Sequence, residues 1–251
     1  MALVEFRNTN FTGALKHLDQ AIGQAPTFTK ARLLKIEILL QTKKISELLT
    51  FMQQWVLANV QDTAVVQTLL LLRKTNIVPL PSLVKCLQHV CSKNPHINVL
   101  AALADLQVES KEYPQAVETY QKLATTTTDA ALKSKTLFQM GYVHMVTNQL
   151  DDAEKALKDA IKLDPAYPSA YNLLAYHYAK MNKNLSEALE LVNKALDKNP
   201  SCYYYLDTKG YVLLRQGKRE EAINTFKAAL AQAPDDTIIK SHLKTAQEGS
   251  L

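Results

Sequence analysis

The chain has 251 residues, of which 47% are hydrophobic and 21% are charged, so its composition excludes an intrinsically disordered protein. The net charge of +5 is uneven: residues 1–97 hold 11 Lys and Arg against 5 Asp and Glu, whereas residues 98–251 hold 18 against 19. Three cysteines do not suggest a disulfide framework. Residues 1–25 lack a signal-peptide pattern and the longest apolar cluster, 64–72, is too short for a membrane span, so we predict a cytoplasmic protein.

A block of apolar residues with i, i+4, i+7 spacing recurs along the chain, which is the pattern of one buried helix face. Several blocks close on a proline, which cannot continue a helix and is typical of a following loop. The blocks recur every 34 or 35 residues in the C-terminal part, and such a period predicts stacked supersecondary units. In chain order they are Ala14-Leu18-Ala21-Pro26, Leu48-Met52-Trp55, Leu83-Leu87-Val90-Pro95, Ala116-Tyr120-Leu123, Ala153-Leu157-Ala160-Pro165, Ala188-Val192-Ala195-Pro200 and Ala222-Phe226-Ala229-Pro234.

The better-conforming blocks have an upstream partner about a dozen residues earlier, in which a small residue follows a large one by four positions. This arrangement predicts a second helix that crosses the first closely, because only Gly or Ala lets two backbones approach. The predicted crossing pairs are Ala104/Ala116, Gly141/Ala153, Ala175/Ala188 and Gly210/Ala222.

Residues 29–96 depart from the pattern. The small crossing residues become Ile36 and Leu71, and their partners become Leu48 and Leu83, so we expect these helix pairs to lie farther apart. The alternative is that these repeats have merely diverged from the pattern, without functional meaning. Farther on, the interval between repeats stretches to 37 residues at the polar run 125–129, which predicts a longer loop.

The two ends of the chain differ. Residues 1–28 hold a truncated first repeat, since Met1 falls midway through its first helix; either the unit is half-formed or the chain was cut from a longer protein. In residues 235–251, Asp235-Asp236-Thr237 opens a capping helix of roughly 237–247, with Ile238, Ile239, Leu243 and Ala246 predicted on its inner side.

At these residues the chain resembles the tetratricopeptide repeat family, whose unit is a 34-residue helix-turn-helix. The resemblance is specific over residues 97–234 and weaker over 29–96. It implies an all-α, right-handed superhelical solenoid of about seven antiparallel helix pairs, formed by residues 1–251 as a single domain with a C-terminal capping helix.

The sequence contains none of the glycine-rich phosphate loops, nucleophile elbows or zinc-protease motifs that mark common enzymes, so we predict no catalytic residue and no cofactor. Cys86, His89, Cys91 and His96 lie close in sequence, but one continuous helix cannot direct all four at one metal ion. The basic excess of residues 1–97 has no long charged run and no interleaved aromatic residues, which disfavours nucleic acid.

The resemblance also implies a binding surface, because in this family one face of the first helices lines a concave groove for peptides or partner helices. Tyrosine and arginine on that face are typical of binding hot spots. Packing of some tyrosines between units is the alternative. The predicted groove residues are Phe138, Tyr142, Met145, Asn172, Tyr176, Lys180, Tyr204, Asp207, Tyr211 and Arg215.

We therefore predict a non-catalytic scaffold that binds a protein or peptide and no small-molecule substrate, with a homo-oligomer as a further option. The alternative is an accessory domain of a larger enzyme, or of a secretion or envelope-assembly protein. Co-chaperones of the family hold carboxylates with Lys and Asn. The residues at those positions here are Phe138, Tyr142, Leu173, Tyr204 and Thr208. None of them is a cationic donor for a carboxylate, which argues against that activity.

Overall fold

The computed structural model describes residues 1–249, which form helices and no strands. This confirms the predicted all-α class. The fifteen helices in this part of the chain are α1 (Ala2–Arg7), α2 (Phe11–Gln24), α3 (Thr29–Gln41), α4 (Ile45–Ala58), α5 (Thr63–Lys74), α6 (Leu80–Lys93), α7 (Ile97–Glu109), α8 (Tyr113–Thr126), α9 (Ala130–Val146), α10 (Leu150–Leu163), α11 (Pro168–Lys180), α12 (Leu185–Lys198), α13 (Tyr203–Arg215), α14 (Arg219–Gln232) and α15 (Thr237–Glu248).

The helices belong to two compact units, and the boundary falls within α8. Unit 1 is Met1–Thr119 and unit 2 is Tyr120–Leu251. Within each unit, successive helices pair as hairpins and each hairpin packs on the next, so the apolar cores lie between neighbouring hairpins rather than in one centre. The main core of unit 1 is built from α3 to α7, and that of unit 2 from α9 to α15.

Seven hairpin turns share one backbone feature, a residue in the left-handed region. Its φ angle is between 52° and 78° in each turn, and the residue stands seven positions after the crossing residue in the regular hairpins. Asn and Gly, which adopt this conformation most easily, occupy four of the seven positions. The residues are Thr9, Lys43, Asn76, Lys111, Asn148, Asn182 and Gly217.

At two of the four predicted crossings, those of Gly141 and Gly210, the paired helices approach closely. A Cβ atom added to Gly141 would lie 2.7 Å from Leu157 Cγ and 3.5 Å from the carbonyl oxygen of Ala153. At Gly210 it would lie 2.6 Å from the Phe226 ring. No side chain fits into either gap without displacing its neighbour, so the glycines set the distance between the paired helices.

The divergent hairpins are more open, as expected. The backbones of α3 and α4, and of α5 and α6, approach one another much less than those of α9 and α10. The choice of Leu71 as a crossing residue was wrong, because its side chain is 55% exposed, and Leu69 is buried two positions earlier. The turn between α5 and α6 is five residues long instead of three, so a count of twelve back from Leu83 stops two residues short of Leu69.

The predicted longer loop at residues 125–129 was also wrong. Helix α8 continues to Thr126 and only residues 127–129 separate it from α9. The additional residues lie in α9, which has 17 residues where α11 and α13 have 13. Asp129 begins α9 by accepting hydrogen bonds from the backbone N–H groups of Ala131 and Leu132.

A helix caps the C-terminal end of unit 2, as the acidic pair predicted. Asp236 Oδ1 accepts the backbone N–H groups of Ile238 and Ile239, at 2.9 and 3.0 Å. Ile239 and Ala246 are buried, but Ile238 is exposed and its inward placement was wrong. At the other end of α15, the Arg219 side chain of α14 donates to the carbonyls of Ala246 and Gln247 and holds the helix against its neighbour.

Among residues 1–249, no helix combines the length and apolar character needed to cross a lipid bilayer.

Candidate partner-binding surface

The predicted groove residues lie on α9, α11 and α13 of unit 2, and their exposure divides them into three groups. Tyr142, Tyr204 and Lys180 are exposed, with 44% of Tyr142 accessible. Six others are half-buried: Phe138, Asn172, Tyr176, Asp207, Tyr211 and Arg215. We call these nine residues the aromatic face.

Met145 does not belong to this surface, so its assignment to the groove was wrong. Its side chain is 6% exposed and packs in a core cluster with Leu174, Ala175 and Tyr178. Met145 follows Tyr142 by three positions, which turns it about 60° away from Tyr142 around the helix axis. The neighbouring hairpin covers that side of α9 and leaves Tyr142 open.

Three rings form a continuous stack across α11, α13 and α15. The ring centroids of Tyr176 and Tyr211 are 5.7 Å apart, and those of Tyr211 and His242 are 5.4 Å apart at an interplanar angle of 29°. His242 Nδ1 is 2.8 Å from Asp207 Oδ1, which orients the imidazole on the stack. Burial raises the pKa of Tyr176, and the nearby Tyr211 and Asp207 add to it, so this phenol stays neutral and keeps its proton for donation.

A second aromatic contact begins the same face. The rings of Phe138 and Tyr167 meet edge to face at a centroid distance of 5.3 Å. Tyr167 is the residue that precedes α11, so it fixes the start of that helix against the side of α9.

Two polar side chains on the face have atoms with no partner. Asn172 Oδ1 and Arg215 Nε are both buried and neither makes a hydrogen bond within residues 1–249. Buried polar atoms are nearly always hydrogen-bonded in folded proteins. These two atoms therefore leave one acceptor and one donor unsatisfied beside the half-buried rings.

An ion-pair network lies behind the face and holds α10 to α11. Glu154 Oε1 accepts from Lys158 Nζ at 2.8 Å and from the Tyr178 hydroxyl at 3.1 Å, while Oε2 lies 3.1 Å from Lys183 Nζ. The hydrogen bond from Lys158 is the main cause that lowers the pKa of Glu154 from 4.5 to about 2; burial opposes the shift, and Lys183 and Tyr178 add to it.

This network predicts a specific acid sensitivity. Because the pKa of Glu154 is lower in the folded state, its contribution to stability is complete above pH ~4.5 and is lost as the pH falls towards 2. We expect the urea midpoint to fall over that range, and the Glu154→Gln variant to show a shallower fall. Chemical denaturation at pH 6, 4, 3 and 2 measures both; parallel curves for the two proteins would contradict the assignment.

The cysteine and histidine cluster of the third hairpin does not converge. Cys86 lies in the core of unit 1, where burial raises the pKa of its thiol to about 12, and His89 is exposed. No set of three His, Cys, Asp or Glu side chains within residues 1–249 is placed to hold a metal ion. A protonated, enclosed thiol is a poor nucleophile as well as a poor ligand.

Sequence reasoning missed two residues of this region, His242 and Tyr167. His242 lies on the inner side of α15 between Ile239 and Ala246, and this i, i+3, i+7 spacing could have identified it. Tyr167 precedes a helix, so helical periodicity carried no signal for it.

Comparisons with known proteins agree with this architecture. Two family models, both described as tetratricopeptide repeat, match the chain: one at residues 138–201 and 208–242, the other at residues 6–71. The TPR repeat-containing protein PA4667 of Pseudomonas aeruginosa is 35% identical over 91 residues, which is 36% of this chain and 15% of that protein. The Protein STIP1 homolog of Dictyostelium discoideum is 26% identical over 137 residues, covering 53% of this chain and 23% of that protein.

Solved structures show the same fold. A tetratricopeptide repeat protein from Parabacteroides merdae aligns with a TM-score of 0.58 at 16% identity, covering 98% of this chain and 96% of that one. YrrB, described as a TPR protein with an unusual peptide-binding site, aligns with a TM-score of 0.56 at 17% identity over 77% of this chain and 97% of its own. With two family models that together match more than half of its residues, the chain belongs to the tetratricopeptide repeat family.

Proposed function

We propose that this protein is a non-catalytic interaction scaffold and that a peptide or partner segment binds across the aromatic face of unit 2. The observation that carries the proposal is the exposure of Tyr142 and Tyr204 on helices whose neighbouring rings are only half-buried. Aromatic side chains of this kind supply large contact areas with a polar tip, which suits them to protein interfaces.

The polar atoms on the face suit a peptide backbone. Asn172 Oδ1 would accept a backbone N–H group, and Arg215 would donate to a carbonyl or an acidic side chain, since both have unpartnered atoms. Lys180 adds an exposed cation at the end of α11. YrrB, with the same fold, is itself described as having a peptide-binding site, which supports the proposal by analogy of fold alone.

Tyr142 gives the cleanest test of the face. Tyr176 and Tyr211 pack on each other, and Tyr211 also packs on His242, so their alanine variants would change stability as well as binding. A photo-crosslinking amino acid at position 142, compared with the same group at Leu163 on α10, would capture a partner bound at this face. Leu163 is a suitable control because it is also exposed but lies on α10, the second helix of its hairpin, and so is not part of the aromatic face.

We expect Tyr142→Ala to weaken binding of the captured partner by about 1–3 kcal/mol, because it removes an exposed hot-spot ring. Leu163→Ala should bind as the unchanged protein does. Calorimetric titration of the purified partner against both variants measures the difference. Equal affinities of the two variants, or crosslinking only from position 163, would place the binding surface elsewhere.

A further inference from the structure

Arg32 on α3 is a buried cation without a counter-ion. Only 8% of the residue is exposed, and burial lowers the pKa of the guanidinium. Nη1 donates to the carbonyl of Pro26, the guanidinium carbon lies 5.3 Å from the centroid of the Trp55 ring, and Nε is buried without a partner. No carboxylate pairs with it among residues 1–249. A buried charge in this condition is costly unless something neutralises it.

The repeat shows that the proline contact does not require this charge. Arg32 stands four residues before the crossing residue Ile36, and the equivalent residue of the α11–α12 hairpin is Tyr171. The Tyr171 hydroxyl donates to the carbonyl of Pro165 at 3.2 Å, six residues back, as Arg32 does to Pro26. The neutral hydroxyl of Tyr171 makes that hydrogen bond, so a contact with the proline carbonyl does not require the positive charge of Arg32.

Arg32 lines a cavity of about 180 Å³ within unit 1. The cavity lies between the start of α3, the end of α4 and the start of α5. A water molecule occupies about 30 Å³ in the liquid, so the cavity has room for a small group of several non-hydrogen atoms. Its lining residues are Thr27, Thr29, Arg32, Trp55, Asn59, Asp62, Ala64, Val65 and Thr68.

The donors of the cavity suit a planar anion. Because Nη1 is engaged by Pro26, the Nε–Nη2 edge of Arg32 is left for a ligand, and this edge matches the two oxygens of a carboxylate. Asn59 donates one amide hydrogen to the Trp55 carbonyl at 2.9 Å and keeps its second. Asp62 is exposed and also lines the cavity, where its negative charge disfavours a dianion such as phosphate more than a singly charged carboxylate.

We propose that this cavity binds a single carboxylate group through the Nε–Nη2 edge of Arg32. The carboxylate belongs either to a free small monocarboxylic acid or to an acidic side chain of a partner. The site belongs to unit 1 and the aromatic face to unit 2, and this proposal does not depend on the function proposed for that face.

The only tryptophan of the chain provides the readout, because Trp55 lines the cavity and stacks on Arg32. Titration with sodium propionate is expected to change Trp55 fluorescence saturably, whereas propionamide and sodium chloride at equal ionic strength should not. A short blocked peptide containing Glu, compared with its Gln counterpart, tests the side-chain source. Saturation-transfer NMR of the propionate signals gives a second readout that does not depend on fluorescence.

Two variants and a control test the assignment. Arg32→Gln should weaken carboxylate binding about tenfold or more by removing a charged, bidentate donor. Asp62→Asn should strengthen it severalfold, since Asn still caps α5 but no longer repels the anion. Lys35→Gln on the same helix, whose lysine pairs with Asp19, should bind as the unchanged protein does.

A response to propionate alone, or to the Glu peptide alone, would support the corresponding source. The proposal is overturned if both readouts are silent to both ligands, if propionamide or chloride acts equally, or if Arg32→Gln binds as the unchanged protein does. Circular dichroism checks that Arg32→Gln is folded, and Arg32→Lys, which keeps the charge without the fork, should bind with intermediate strength.

Discussion

Replacing Phe226 with alanine is expected to lower the free energy of unfolding of unit 2 by about 3–5 kcal/mol. Phe226 is among the largest fully buried side chains, and its ring fills the space that Gly210 leaves open between α13 and α14. It also contacts His242, at a centroid distance of 5.7 Å, and so joins the capping helix to the last hairpin. The loss combines the transfer free energy of the removed ring atoms with the cost of the cavity that remains, because Gly210 has no side chain to fill part of that space.

Phe28→Ala is the matched control, since Phe28 is exposed and the same atoms are removed. We expect it to change stability by no more than about 0.5 kcal/mol. Because the stability of a repeat protein is a sum of local terms, hydrogen exchange of α13 to α15 should accompany the denaturation measurement. Equal losses in the two variants would show that Phe226 does not hold the last hairpin together.

The second large effect is expected from overfilling the same crossing. Ala222 is fully buried where α14 meets Gly210, so Ala222→Leu must push the two helices apart or distort rotamers, at a cost of about 1–3 kcal/mol. Ala228→Leu on the same helix is the control, because Ala228 is exposed and leucine is nearly as good a helix former as alanine.

Thermal and urea unfolding of the two leucine variants measures the contrast. Loss of stability only in Ala222→Leu is the outcome that the crossing geometry requires. If both variants unfolded like the unchanged protein, the close approach of α13 and α14 would not limit the size of residue 222.

The buried residues that these two predictions test can be identified from the sequence. The spacing of Ala222, Phe226 and Ala229 identifies one buried helix face, and Gly210 twelve residues earlier identifies its crossing partner. Asp236 signals the capping helix through its short acceptor side chain. All of these patterns are local, because the 3.6-residue period and the capping hydrogen bonds involve residues close together in the chain.

Other features required the tertiary structure. Met145 and Tyr142 lie on adjacent sides of α9, and only the packing of the next hairpin decides that Met145 is covered and Tyr142 is open. Leu69 replaces Leu71 at its crossing because the length of the following turn shifts the register, and turn length is not visible in a fixed count.

The family and its helical hairpins could therefore be derived from the sequence alone, since each repeat carries its own local signals. The candidate binding surfaces could not be derived from the sequence. The stack of Tyr176, Tyr211 and His242 joins three helices, and the cavity in which Arg32 meets Trp55 and Asn59 joins residues of α3, of α4 and of the turn that follows α4. Such neighbours are set by how one hairpin rests on the next, a distance and angle that depend on all the side chains between them and on no single periodicity.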